Sequence, residues 1–412
     1  MNLSRGNVGA RQHGAMEYSE PPADLDAVRR YRVGRVRRKL QELDYAGILL
    51  FDQVNCRYAC DATNMQIWCA HYETRCVFVA VDGPMILFDY GDYPHLAEGI
   101  STIDEYRVNP SFYYFAAGPR GEEMAAQFGA VIADLVKTHG GGNTRLAIDR
   151  LSHLGCEAIA KHGVSIHDGL EVMELARAIK SAEELALMQQ SIDVCEAGVR
   201  RMRAATEPGM TENALWALLH HTNIELGGEW IETRLLSSGA RTFPWFRESS
   251  MRKINAGEMI SLDTDLIGPY GYCADMSRSW ICGDRAPNDE QKRIYALAHA
   301  QIEHNTSILK AGLSFREVAD LAWKIPDEFV DHRYGVLIHG VGLADEYPSI
   351  KHACDFAAKG YDGMLEENMT LCVESYIGSA RSGEGVKLEE QVLVCTDGIR
   401  KLTSDPLETD WL

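Results

Sequence analysis

The sequence predicts an α+β protein of two domains, a mixed α/β domain followed by a strand-rich domain that also carries long helices. Three observations predict it. The chain has 412 residues, more than one hydrophobic core usually organises. Its first part reads helix then strand, and beyond Gly239 the pattern turns to strands again before two further helices. Apolar residues make up 46% and charged residues 25%, enough to bury two cores without invoking disorder.

Residues 1–24 form a polar leader with a Pro21-Pro22 pair, without the apolar run that a secretory signal needs. Residues 25–43 read as a basic amphipathic helix, and Tyr45-Ala-Gly-Ile-Leu-Leu-Phe51 as a buried strand. The apolar runs 76–81 and 85–88 flank an Asp82-Gly-Pro turn and predict a hairpin, and residues 145–148 predict another strand. The N-terminal domain is therefore assigned to residues 25–178. A boundary falls at Ile179-Lys-Ser181, where Ser181 and Glu184 form the capping box of a helix running to about Arg203, with Leu185, Met188, Ile192, Cys195, Val199 and Met202 on its apolar face. The second domain then spans residues 179–412. Thr211 caps the next helix, helices are predicted over 289–310 and 314–330, and strands over 369–376 and 386–395 close the chain.

With 60 acidic and 41 basic residues, the formal charge of −19 repels phosphate backbones and anionic membranes and favours cationic ligands. Nucleic acid and membrane are excluded as expected partners, and no run of apolar residues is long enough to span a bilayer. The 11 cysteines include no CxxC pair, and the Cys56/Cys60 spacing fits no metal or redox motif, so they read as reduced core thiols of a cytoplasmic protein. His220-His221 read as a solvated helix face.

Acids in apolar strands carry the chemistry. In Met259-Ile-Ser-Leu-Asp-Thr-Asp265, alternation places Ser261, Asp263 and Asp265 on one face. Unpaired, each buried carboxylate costs about several kcal/mol of desolvation, so a positive partner is required among them. The turn Ile267-Gly-Pro-Tyr-Gly271 returns a second strand through Asp275 to Arg278, bringing Asp275 beside Asp263. Glu374 lies in Leu371-Cys-Val-Glu-Ser-Tyr, and Glu389 or Glu390 in an equally apolar run; alternation does not choose between these two. With His339, the set suits a divalent transition metal such as Mn, Fe, Co or Zn. Salt bridges to Arg278 and Lys387 are the competing reading, but two cations do not neutralise five or six acids.

From about Arg29 onward the chain resembles the pita-bread family of creatinase, Xaa-Pro aminopeptidase and methionine aminopeptidase. The resemblance rests on Ile179-Lys-Ser-Ala-Glu-Glu184, Pro208-Gly-Met-Thr-Glu212, the hairpin from Asp263 to Asp275-Met-Ser-Arg278, His339-Gly-Val-Gly-Leu343, Val373-Glu374 and Leu388-Glu-Glu390. It implies a creatinase-like α/β N-terminal domain, a C-terminal pita-bread metal-binding domain, a homodimer, and metal ligands at Asp263, Asp275, His339, Glu374 and Glu389.

Two histidines of the family's peptidases are missing. Asp345 falls where the signature after His339 has its second histidine, and the segment Ser238 to Trp245 ends in Phe243-Pro-Trp245 where the other would stand. A third departure is Asp265, placed to complete a six-ligand site; whether one ion or two bind is left open. These departures resemble the dimethylsulfoniopropionate lyases of the DddP type, which implies a zwitterionic small-molecule substrate, iron as the metal with Mn, Co, Zn or Ni as alternatives, and Asp345 as general base. Trp245, Tyr334 and, from a partner subunit, Trp68 are the aromatic faces for the sulfonium. Arg278 is expected to orient the acids rather than touch substrate. The rival reading is a Xaa-Pro peptidase; a metal-free binding module is argued against by retention of every ligand.

Overall fold

A computed structural model describes residues 21–412, so most of the polar leader lies outside the described residues. The N-terminal domain is a six-stranded mixed sheet ordered Glu105–Val108, Met85–Asp89, Cys76–Ala80, Gly47–Leu50, Arg145–Ile148, Ser165–Asp168. The expected hairpin is present, with Cys76–Ala80 antiparallel to Met85–Asp89. The central strand Gly47–Leu50 is buried on both faces. Leu49 joins Phe78, Phe128 and Ile132 under the helix Gly121–His139, while Ile48 and Leu50 face Val36 and Leu40 of the helix Leu25–Glu42. Continuous apolar runs, rather than alternation, follow from that three-layer packing.

The first helix is less solvated than a basic amphipathic pattern implies. Arg32 is buried, its Nε 3.0 Å from Glu184 Oε1 and its guanidinium bonded to the Tyr272 hydroxyl, which ties the two domains together. Glu184 is also the N3 residue of the Ser181 capping box on the helix Ala182–Ala205, so one carboxylate serves helix start and domain seam.

In the C-terminal domain a five-stranded antiparallel sheet is ordered Asp345–Ile350, Ile338–Val341, Thr370–Ser379, Glu384–Cys395, Gly398–Lys401. The helix Asp289–Ile308 packs across its two longest strands through Ile294, Ala298 and Ile302. Two three-stranded sheets complete the domain: Leu236–Ser238, Met259–Asp263 and Ser277–Ile281, and Trp230–Ile231, Leu266–Ile267 and Cys273–Ala274.

Two expectations need correction. The segment Met259 to Asp265 is not one strand: it ends at Asp263, Asp265 takes a left-handed φ of 37°, and the chain passes from one small sheet to the other. Strict alternation therefore does not set the direction of Asp265. Thr264 repairs the break, donating to the Ala274 carbonyl at 3.0 Å and accepting from Met276 N–H at 3.0 Å. The returning strand is split likewise into Cys273–Ala274 and Ser277–Ile281. The helix over 314–330 stops at Leu321, and Asp327–Val330 is a separate turn behind Pro326, whose ring and missing N–H do not continue a helix. No helix among the described residues is long and apolar enough to cross a membrane.

Candidate metal centre

Register builds the site. Asp263 stands opposite Ser277, Glu374 opposite Glu389, and His339 opposite Cys372, so side chains from two sheets converge. His339 Nδ1 lies 3.0 Å from the Gly340 carbonyl, which leaves Nε2 facing the acids, to donate to them when protonated or to ligate a metal when not. Nε2 is 3.4 Å from Glu374, 3.5 Å from Glu389 and 3.6 Å from Asp275. Register also separates the adjacent glutamates. Glu389 enters the cluster, whereas Glu390 points to Arg278 and Thr403.

The two neighbouring cations divide unequally. Lys387 is buried in the cluster, its Nζ 2.6 Å from Glu374 and 3.4 Å from both Asp263 and Glu389. Arg278 instead bonds Glu390, the Asp405 carbonyl at 2.7 Å and the Glu389 carbonyl at 2.7 Å, so it orients Glu389 without neutralising it. One ammonium against Asp263, Asp275, Glu374 and Glu389 leaves buried negative charge in surplus. Burial, reinforced by neighbouring acids, accordingly pushes the Asp263 and Asp275 carboxyls well above their usual range. For Glu389, burial is outweighed by Lys387 and His339, which hold it ionised.

The donor set fits a divalent cation. Ligand atoms of Asp275, His339, Cys372 and Glu389 lie within 4.8 Å of one another, and Glu389 Oε1 is buried without a hydrogen-bond partner. A second group, Asp265, Cys273 and Asp345, is equally close. Asp265 is pushed up to about 7, first by burial and then by the Asp345 charge. Cys273 and Cys372 were missed from the sequence. For Cys372 the signal was the two-residue spacing from Glu374, which puts the thiol on that acid's strand face.

Asp345 opens the strand Asp345–Ile350 and stands on the other side of the imidazole, Oδ1 3.5 Å from Nδ1. Solvent reaches 55% of its side chain, yet the protein packed around it, together with the Glu389 charge, raises its carboxyl above the usual range. Behind it Glu346 is buried against Lys180 and Arg177, which pins the strand to the domain seam. Glu232, also missed, is pushed up to about 7 by burial and the Asp345 charge, and its backbone N–H donates to the Asp265 carbonyl at 3.0 Å.

The three aromatic candidates fall in different places. The Tyr334 ring lies 4.7 Å from Lys387 Nζ, at the edge of the carboxylates. Trp245 is buried 5.8 Å from Tyr376, its indole N–H without a partner. Trp68 belongs to the N-terminal domain, where its ring neighbours are Tyr72 and Tyr90 rather than Tyr334 or Trp245. His220 and His221 lie exposed on the helix Glu212–Glu225.

This fold and this set of acids define a class. The family model "Metallopeptidase family M24" matches residues 186–396, and "Creatinase/Prolidase N-terminal domain" matches residues 32–179. The chain belongs to metallopeptidase family M24, whose members depend on a divalent metal. Within that class it is 41% identical to a protein of Roseovarius nubinhibens named dimethylsulfoniopropionate lyase DddP, over 93% of this chain and 87% of that one. The protein of the same name from Roseobacter denitrificans is 39% identical over 99% of this chain and 93% of its own. The fold is shared with a Xaa-Pro dipeptidase structure from Bacillus anthracis, TM-score 0.72 at 20% identity, covering 92% of this chain and 98% of that one.

Proposed function

We infer that the protein is a carbon–sulfur lyase that cleaves dimethylsulfoniopropionate to dimethyl sulfide and acrylate. The observation that carries this reading is Asp345: a solvent-reachable carboxylate on the Nδ1 side of His339, apart from the acids that face Nε2. Asp263, Asp275, His339, Glu374 and Glu389, with Asp265 beside them, would hold a divalent cation, which would supply Lewis acidity toward the substrate carboxylate and so acidify the adjacent C–H. Asp345 takes that α-proton, its raised pKa matching it to the task. The C–H electron pair forms the Cα–Cβ double bond, the Cβ–S bond breaks, and its pair leaves on neutral sulfur. The proton remains on Asp345 until solvent, which reaches the side chain, removes it.

Iron is the metal we assign, with Mn, Co, Zn and Ni compatible with one imidazole among carboxylates. Tyr334 and Trp245 are assigned to the sulfonium end, through the attraction of a cation to an aromatic face. We further assign a homodimer in which Trp68 of one protomer approaches the other's site. Support comes from the exposed Ile67, Tyr93, Tyr114 and Phe115 on the N-terminal domain, an apolar surface of the kind that partners cover. All 11 cysteines are free thiols, which supports a reducing, cytoplasmic setting.

The test is product analysis of purified protein given dimethylsulfoniopropionate. Equal amounts of dimethyl sulfide and acrylate support the lyase. Proline released from Xaa-Pro dipeptides, without sulfide, assigns the protein to peptidase chemistry instead.

A further inference from the structure

Phe246 is a strained aromatic residue beside the site. Its φ is 73°, a left-handed value that a bulky side chain rarely adopts, and 61% of it is exposed. Strain of that kind persists only where the surroundings over-determine it. Here the chain is pinned on both sides. Before Phe246, the Thr242 carbonyl accepts from the Tyr376 hydroxyl at 2.7 Å. After it, Arg241 donates to the Glu248 carbonyl at 2.8 Å, Ser249 N–H donates to the Arg234 carbonyl at 3.0 Å, and Ser250 is held by the buried Glu212.

What the strain achieves is a stacking contact. The Phe246 ring lies on Tyr334, centroids 5.3 Å apart at 26°, and its second aromatic neighbour is Trp245 at 6.5 Å. The Tyr334 ring lies 4.7 Å from Lys387 Nζ, which in turn bonds Glu374. The outermost ring of a stack leading to the carboxylates is thus left open to solvent, at a backbone cost that glycine would avoid.

We propose that Phe246 is a specificity-determining residue, the outer aromatic wall that selects a substrate bearing a sulfonium or quaternary ammonium group over a neutral molecule of the same shape. The proposal rests on the lyase reading and deepens it, because a zwitterion with its carboxylate at the metal must present its cationic end outward. Packing alone does not require this residue, since an exposed phenyl ring buries little surface there.

The experiment compares two carboxylates in calorimetric binding to metal-loaded protein: 3-(trimethylammonio)propionate and its neutral carbon isostere 4,4-dimethylpentanoate. Wild type is expected to prefer the cation. Phe246→Ala is expected to weaken the cation by about 3- to 30-fold, the range of one cation–π contact, while changing the isostere little, and Phe246→Trp to restore the preference. Phe246→Gly relieves the positive φ, so its melting temperature should equal or exceed wild type while the preference is still lost. Equal losses for both probes, or an unchanged preference in Phe246→Gly, overturn the assignment. So does a shift from dimer to monomer with binding intact, which makes the ring a subunit contact. Should wild type itself show no preference for the cation while still releasing dimethyl sulfide, Phe246 is excluded and the lyase reading stands; absence of both preference and sulfide removes the reading beneath it.

Discussion

Each domain buries charge, and the two do it differently. In the N-terminal sheet Arg75 donates from Nε and Nη2 to Asp89 at 3.0 and 2.9 Å, one cation to one anion, both buried. In the C-terminal domain Asp263, Asp275, Glu374 and Glu389 share the single ammonium of Lys387 and one imidazole. A matched pair satisfies itself and calls for no ligand. A surplus of buried acids calls for protonation or for a further cation, so the imbalance, rather than the presence of buried charge, singles out the candidate site.

Removing the imidazole should break that contrast most completely. His339→Ala is expected to lose both bound metal and dimethyl sulfide production, read by elemental analysis and headspace detection on the same sample. Retention of metal would mean the acids alone suffice. Next in size is Asp345→Asn, expected to lower turnover by about 100- to 10,000-fold, the contribution of a general base, with metal content near wild type. Loss of metal in this variant would make Asp345 a ligand and remove it as the base.

On the other side of the comparison, Arg75→Met leaves Asp89 buried and unpaired and should cost about 3–5 kcal/mol in denaturant unfolding, with metal per folded molecule unchanged. A simultaneous Asp89→Leu substitution should recover much of that loss, because nothing but the pair itself requires the charges. No such double replacement is expected to rescue the C-terminal cluster. The smallest effect is on pH dependence. The Asp345 carboxyl is raised, so it is protonated and inactive below its pKa and charged and active above it. The acid limb of kcat/KM should therefore lie above the usual aspartate value near 3.8 and stay raised in Asp345→Glu, because burial rather than the residue type sets the shift.

Much of this site was legible because carboxylates in apolar strands are conspicuous: Asp263, Asp275 and Glu374 each break an otherwise hydrophobic run. Glu389 and Glu390 were indistinguishable until the pairing of Glu374 with Glu389 set the register, since strand register is a non-local property. Asp265 was read from alternation that its left-handed backbone interrupts. Pro326 did announce the end of the helix at Leu321, and the capping box at Ser314 drew the prediction past it. Lys387 sits two residues before Glu389, which indicates a shared face but not the 2.6 Å approach to Glu374. Phe246 gave no signal, because a positive φ at a phenylalanine is imposed by the contacts that flank it.

The most direct test of the central claim is one protein sample carried through chelation and remetallation, with metal per chain and dimethyl sulfide release measured at each stage. The account predicts that sulfide release disappears with the metal, returns on addition of ferrous iron, and is never accompanied by proline from Xaa-Pro dipeptides. Sulfide release that survives complete removal of the metal would contradict it.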